Sequence, residues 1–182
     1  MIQAQQSLLP AWLALPVSCI TRCMHFVIIC AGIVMALTFF VVVIVRYGFG
    51  GNLFAYEEWL MTVAFWMFFL GSAVATRERA HINADIVVFL LENPKLIWAR
   101  AVLVELLELS ILVVISYWGY LMCAEEIATY PNWQETIALK IPFLVPRIGI
   151  FFGFAMMALY SLLHLWLLLV QGPQQAEQET VA

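Results

Sequence analysis

The chain has 182 residues, of which 65% are hydrophobic and 11% are charged, and its mean hydropathy is +0.97. Soluble domains are about 45–50% apolar and about 25% charged, so this composition excludes a water-soluble globular fold. The formal net charge is -4 and the sequence has no basic stripe, which argues against nucleic acid as a partner. We therefore predict an all-α membrane protein.

Four long apolar segments follow one another along the chain, at about residues 23–45, 59–76, 96–122 and 148–170. A helix needs about 20 residues to cross a hydrocarbon core about 30 Å thick, and each segment is of that order. We predict four transmembrane helices in one membrane domain, residues 22–170. Residues 1–21 are predicted to be a leader or an interfacial segment, and the polar residues 171–182 a disordered tail.

The segment between the second and third spans, about residues 82–92, is too short to cross a membrane. Its apolar residues recur at helical spacing, while His81, Asp85 and Glu92 lie on another face. We predict a short amphipathic helix in the membrane interface, ended by Asn93-Pro94.

Basic residues indicate the orientation of the spans. Arg22 precedes the first span, and Arg77, Arg79 and Lys95 lie between the second and third. Because Lys and Arg are enriched in cytoplasmic loops, we predict that both termini are cytoplasmic.

Two acidic residues, Glu105 and Glu108, lie within the third span and share a helix face. Glu105 to Glu125 corresponds to about 30 Å of helix, a full membrane crossing, which favours a shallow position at the inner boundary and a structural role. The alternative is a buried proton or ion relay. A relay needs further polar groups, and the outer half of this span offers few, among them Ser110, Ser116 and Tyr117.

Two histidines suggest an alternative function. His25 and His164 are both expected in the inner third of the membrane, where histidines on facing helices can hold a b-type haem in a four-helix cytochrome subunit. The other interpretation is local hydrogen bonding, since Trp166 and Leu167 leave little room beside His164.

A third possibility is a dimeric four-helix exporter, which would need an acid near the midplane. The cysteines show no metal-binding spacing, and we predict no metal and no cofactor.

Small residues on two spans predict close helix packing, either within the bundle or against a partner. They are Ala64, Gly71, Ser72 and Ala75 on the second span, and Gly153 on the fourth.

Several motifs occur in a fixed order around the second span. They are Arg46-Tyr47, Glu57-Glu58-Trp59, Trp66, Phe69-Leu70-Gly71-Ser72-Ala73, Arg77-Glu78-Arg79-Ala80-His81-Ile82 and Asp85. A later group consists of Thr136, Ala138-Leu139-Lys140-Ile141-Pro142 and Gly153. Together they resemble the small membrane subunit of tripartite ATP-independent periplasmic (TRAP) transporters, over roughly residues 22–170. Arg147 departs from that family, which often has an apolar or aromatic residue there, and suggests a partner specific to this chain.

The resemblance implies a non-enzymatic subunit of a sodium-driven importer in the bacterial inner membrane. A periplasmic protein captures an organic anion such as a carboxylate, a large membrane subunit moves it, and the small subunit binds the large one and helps to dock the binding protein. Membrane lipids are the remaining partners. We predict no substrate or ion site in this chain, and assign polar contacts within or between subunits to Arg46, Glu57, Glu58, Trp59, Arg77, His81, Asp85, Glu105 and Glu108.

Overall fold

The fold consists of four helices, α1 (Ala11–Gly48), α2 (Tyr56–Glu78), α3 (Pro94–Ala128) and α4 (Leu144–Gln171), in a computed structural model that describes residues 11–79 and 93–172. Each helix is long and apolar enough to cross a membrane. Helices suit this environment because their backbone groups are hydrogen-bonded internally where no water is present. The predicted all-α fold with four spanning helices is confirmed. The predicted interfacial helix at residues 82–92 lies outside the described residues.

Two helices extend well beyond the predicted spans. α1 begins at Ala11, so residues 11–21, predicted as a leader or interfacial segment, are helical and continue into the first span. α3 has 35 residues and is about 52 Å long, against about 30 Å of hydrocarbon. Hydropathy detects only the part of a helix that lies in hydrocarbon, whereas the helix itself continues until a cap ends it. Asn93 caps the start of α3, where its side chain accepts a hydrogen bond from Lys95 N at 3.0 Å.

The helices are not arranged in their chain order. α4 packs against both α2 and α3, and α1 packs mainly against α2. In the most apolar 18-residue segment of each helix, half of α4 is buried, whereas only 6% of α3 and 11% of α1 are buried. α4 is therefore the central helix, and α1 and α3 form two flanks whose apolar side chains are left for lipid or for another protein.

Glycines allow α4 to approach its neighbours closely. A Cβ atom on Gly153 would lie 2.6 Å from the Cβ of Phe69, and one on Gly149 would lie 3.1 Å from the ring of Trp66. The two glycines are four residues apart, the spacing typical of close helix contacts in membranes. Gly71 behaves differently, because a Cβ atom there would meet nothing within 4 Å. The close contact predicted at Gly153 lies inside the bundle, whereas a side chain at Gly71 would meet no neighbour.

Successive helices run in opposite directions, so the molecule has two distinct ends. The start of α1, the end of α2, the start of α3 and the end of α4 lie together at what we call the terminal end. The α1–α2 loop (residues 49–55) and the α3–α4 loop (residues 129–143) lie at the opposite end, the loop end. Between the ends, the core is formed by apolar side chains together with one tyrosine: Val17, Met24, Leu70, Ala73, Val74, Leu112, Met156, Met157 and Tyr160.

Candidate functional site

A polar cluster joins three helices at the terminal end. Glu105 of α3 accepts a hydrogen bond from Ser161 Oγ of α4 at 2.9 Å. Its other carboxylate oxygen lies 3.9 Å from Nη2 of Arg79, the residue that caps the end of α2. Arg79 Nε also donates to Nδ1 of His164 at 3.4 Å. The Glu105 side chain is 13% exposed, so its carboxyl group contacts protein groups more than water.

α1 is tied to the same end by two further contacts. His25 Nε2 lies 3.7 Å from a carboxylate oxygen of Glu78, and His25 Nδ1 lies 2.9 Å from the carbonyl oxygen of Thr21. The Thr21 hydroxyl in turn shares a buried hydrogen bond of 2.9 Å with the Tyr160 hydroxyl of α4. Both histidines considered as haem ligands, His25 and His164, therefore make local polar contacts.

A second network lies at the loop end and centres on Glu126 of α3, which is only 3% exposed. Its carboxylate forms an ion pair with Arg147 in the first turn of α4. It also accepts a hydrogen bond from the backbone N–H of Gln134 at 3.0 Å, and Arg147 Nη2 donates to the Gln134 side chain at 3.2 Å. Arg147, for which the sequence suggested a partner specific to this chain, is paired with a residue of the chain itself.

Glu58 in the first turn of α2 fixes the α3–α4 loop from another side. Its two carboxylate oxygens accept hydrogen bonds from the backbone N–H groups of Ala138 and Leu139, at 2.9 and 2.8 Å. The loop also bonds to itself, since Thr136 N donates to Ile141 O at 3.0 Å and Ile141 N donates to Thr136 Oγ1 at 2.9 Å. A loop bonded both internally and to two helices has a defined shape.

The residues predicted to make polar contacts fall into four groups. Glu58 and Glu105 make the contacts just described. Arg46 and Glu57 are exposed at the loop end, whereas Trp59, Arg77 and Glu108 are partly buried. His81 and Asp85 lie outside the described residues.

Sequence reasoning missed the pairing of Glu126 with Arg147. Glu105 and Glu126 are 21 residues apart, or about 5.8 helical turns, so both face the same side of α3, but this spacing does not identify the partner of either acid. It also missed two indole contacts between helices, from Trp66 Nε1 to Val145 O at 3.1 Å and from Trp98 Nε1 to Leu168 O at 3.0 Å. No pattern in the sequence indicates these acceptors, because they are backbone carbonyls.

The two networks stand about one membrane thickness apart. From Glu105 to Glu126 α3 rises about 32 Å, and the hydrocarbon core is about 30 Å thick. In the part of the chain that the structure describes, no series of ionisable side chains connects the two networks, and the core between them is largely apolar. Such an arrangement joins the helices at both ends of the bundle and is poorly suited to carrying an ion across.

The fold and the two networks define a class of protein: a multi-pass helical membrane protein whose polar residues hold its helices together at the two ends. A comparison with family models is more specific, because residues 34–171 match the family described as "Tripartite ATP-independent periplasmic transporters, DctQ component". The match spans more than half of the chain, and the chain belongs to this family, the small membrane component of TRAP transporters. A search of curated proteins found no match.

The family match confirms the resemblance read from the motifs around the second span. It covers most of the predicted membrane domain, from the middle of α1 to the end of α4. The family is one of transporter components and not of enzymes.

Proposed function

We propose that this chain is a scaffold subunit of a TRAP importer. It binds the large transport subunit and helps to dock a periplasmic binding protein, for sodium-driven uptake of an organic anion such as a carboxylate. The observation that carries this proposal is the distribution of polar groups, which gather at the two ends of the bundle and leave its middle apolar. A subunit of this kind supports transport without providing the path.

The flanks of the bundle are the surfaces that suit a large membrane partner. On α3, Val114, Trp118 and Leu121 are exposed, and on α1 the exposed residues include Ile33 and Phe40. Lipid tails are as apolar as these side chains, so association in the membrane depends on shape and packing rather than on hydrophobicity. A photoreactive amino acid at Phe40 or at Val114 would show which flank contacts the large subunit.

The charge distribution supports an orientation with the loop end in the periplasm. Five of the eight basic residues lie at the terminal end, namely Arg22, Arg77, Arg79, Lys95 and Arg100. The other three lie at the loop end, where Arg147 is engaged by Glu126. Since basic residues favour the cytoplasmic side, we propose that both termini are cytoplasmic. Green fluorescent protein fused to the C-terminus should be fluorescent, and alkaline phosphatase fused at the same position should be inactive.

Co-purification tests the scaffold role. The chain is given an affinity tag, expressed with its neighbouring genes and purified in mild detergent. We expect a much larger multi-span membrane protein to co-purify in a fixed ratio, and a secreted binding protein to be encoded nearby. Recovery of the chain only as a monomer or a homodimer, with the neighbouring genes expressed, would contradict the proposal.

A further inference from the structure

The α3–α4 loop holds one apolar side chain far out from the protein. Ile137 is 91% exposed, more than any other large hydrophobic residue among those described. Its neighbour Thr136 is only 7% exposed and is hydrogen-bonded to Ile141. A buried residue thus lies directly beside the most exposed one. An isolated exposed isoleucine on a mobile loop would mean little, but this loop is not free to adapt.

Glu58 is the group that sets the position of Ile137. Its carboxylate accepts the backbone N–H groups of Ala138 and Leu139, the two residues that follow Ile137. Thr136, which precedes Ile137, is bonded across the loop to Ile141. The loop backbone is thus hydrogen-bonded on both sides of Ile137, and Glu58 connects it directly to α2.

The position of the loop tip points to a protein contact outside the membrane. The loop lies beyond Glu58, Glu126 and Arg147, the charged residues at the loop ends of their helices. Two charged residues close to Ile137 in the chain, Glu135 and Lys140, are exposed. An apolar anchor with a polar rim is the usual form of an energetically dominant interface contact, and a preformed loop lowers the entropy lost on binding.

We propose that Ile137, held in place by Glu58, is an anchor that inserts into an apolar pocket of the soluble binding protein when that protein docks on the transporter. This inference rests on the proposed function and on the loop end facing the periplasm. Ile137 makes the contact, and Glu58 is a positioning residue that acts through the backbone of the loop.

The test uses the complete complex in proteoliposomes, with a sodium gradient and increasing concentrations of binding protein. The transported probe is the organic anion found by mass spectrometry in the purified binding protein. The variants are Ile137→Ser, Glu58→Gln, their combination and a control, Phe54→Ser. Phe54 is 76% exposed in the other loop at the same end, so the control removes a comparable apolar side chain.

Ile137→Ser should raise the concentration of binding protein that gives half-maximal uptake by about tenfold, as expected for the loss of one interface anchor. Uptake at saturating binding protein and the yield of the complex should be unchanged. Glu58→Gln should shift the half-maximal concentration in the same direction but less. The double variant should be no worse than Ile137→Ser, because Glu58 acts only through Ile137. Phe54→Ser should not change the concentration of binding protein that gives half-maximal uptake.

Three results would overturn the inference. An unshifted curve for Ile137→Ser would show that the tip does not touch the binding protein. A lower yield of the complex with an unshifted curve would assign the tip to the large subunit. An equal shift for Phe54→Ser would make the contact unspecific. Failure of the proposed function is distinguishable from all three, because the unmodified complex would then show no uptake that depends on the binding protein.

Discussion

At the scale of single residues, the ion pair between Glu126 and Arg147 is the most consequential contact at the loop end. Glu126 is 3% exposed, and its carboxylate is satisfied by Arg147 and by the backbone of Gln134. Removing one partner of a buried pair leaves the other charge without compensation, at a cost typically of about 3–5 kcal/mol. The pair therefore controls how α3 joins α4.

We predict that Arg147→Met lowers the stability of the purified chain strongly, by about 3–5 kcal/mol. Adding Glu126→Gln to that variant should restore much of the loss, because the uncompensated carboxylate is then removed. Thermal unfolding in detergent measures both effects. Glu125→Gln, at the exposed neighbouring position, is the control and should have little effect. Equal melting temperatures for Arg147→Met and the unmodified chain would contradict a stabilising role for the pair.

Glu105 offers a direct test between a structural acid and an ion relay. Its carboxylate accepts from Ser161 and lies near Arg79, whose side chain is 41% exposed, so the ion pair itself contributes little. We predict that Glu105→Gln keeps the Ser161 hydrogen bond and leaves uptake by the assembled transporter unchanged. Loss of uptake at normal yield of the complex would instead support a relay. Glu108→Gln, one turn further along α3, serves as the comparison.

The residue scale also shows what the sequence can predict. The contacts of Glu105 with Arg79 and Ser161 fit the structural role expected of this acid. Its depth in the membrane, obtained by counting residues along α3, stays a prediction. The pairing of Glu126 with Arg147 does not follow from counting, because it depends on which helices are neighbours. That order is set by packing, and nothing in the hydropathy pattern encodes it.

At the scale of helices, the crossing of α2 and α4 depends on the absence of a side chain at Gly153. A Cβ atom there would lie 2.6 Å from the Cβ of Phe69 and 2.9 Å from its carbonyl oxygen. Neither atom can move without shifting α2, since one is backbone and the other is attached directly to it. We predict that Gly153→Ala destabilises the chain by about 1–3 kcal/mol, the usual cost of overpacking.

Gly71→Ala is the matched control for this prediction, because a Cβ atom at Gly71 meets nothing within 4 Å. Alanine is also the better helix former by about 1 kcal/mol, so this variant should be as stable as the unmodified chain or slightly more so. Thermal unfolding of the two variants side by side makes the comparison. Equal stability of the two variants would contradict the close approach of α2 and α4 at Gly153.

The same helices show why some boundaries could not be predicted. The four helices long and apolar enough to span a membrane were predicted because long segments with few charges are rare in soluble domains. The start of α1 at Ala11 was missed because a helix does not stop where the hydrocarbon ends. The start of α3 was predictable, since Asn93-Pro94 combines a capping side chain with a residue suited to the first turn.

At the scale of the whole molecule, the arrangement suits the proposed scaffold role. The central helix α4 is held by α2 and α3, polar contacts join the helices at both ends of the bundle, and the two flanks remain apolar. Such flanks are surfaces on which another membrane protein could pack. Among the described residues, the core cluster between the two polar networks is apolar apart from Tyr160.

Uptake by proteoliposomes that contain this chain alone is the most direct test of the account. The vesicles are given the binding protein loaded with its own organic anion and an inward sodium gradient, and vesicles with the complete complex are measured in parallel. We expect uptake by the complete complex and none by the isolated chain. Sodium-dependent uptake by the isolated chain would contradict the scaffold role, because it would require a transport path through these four helices.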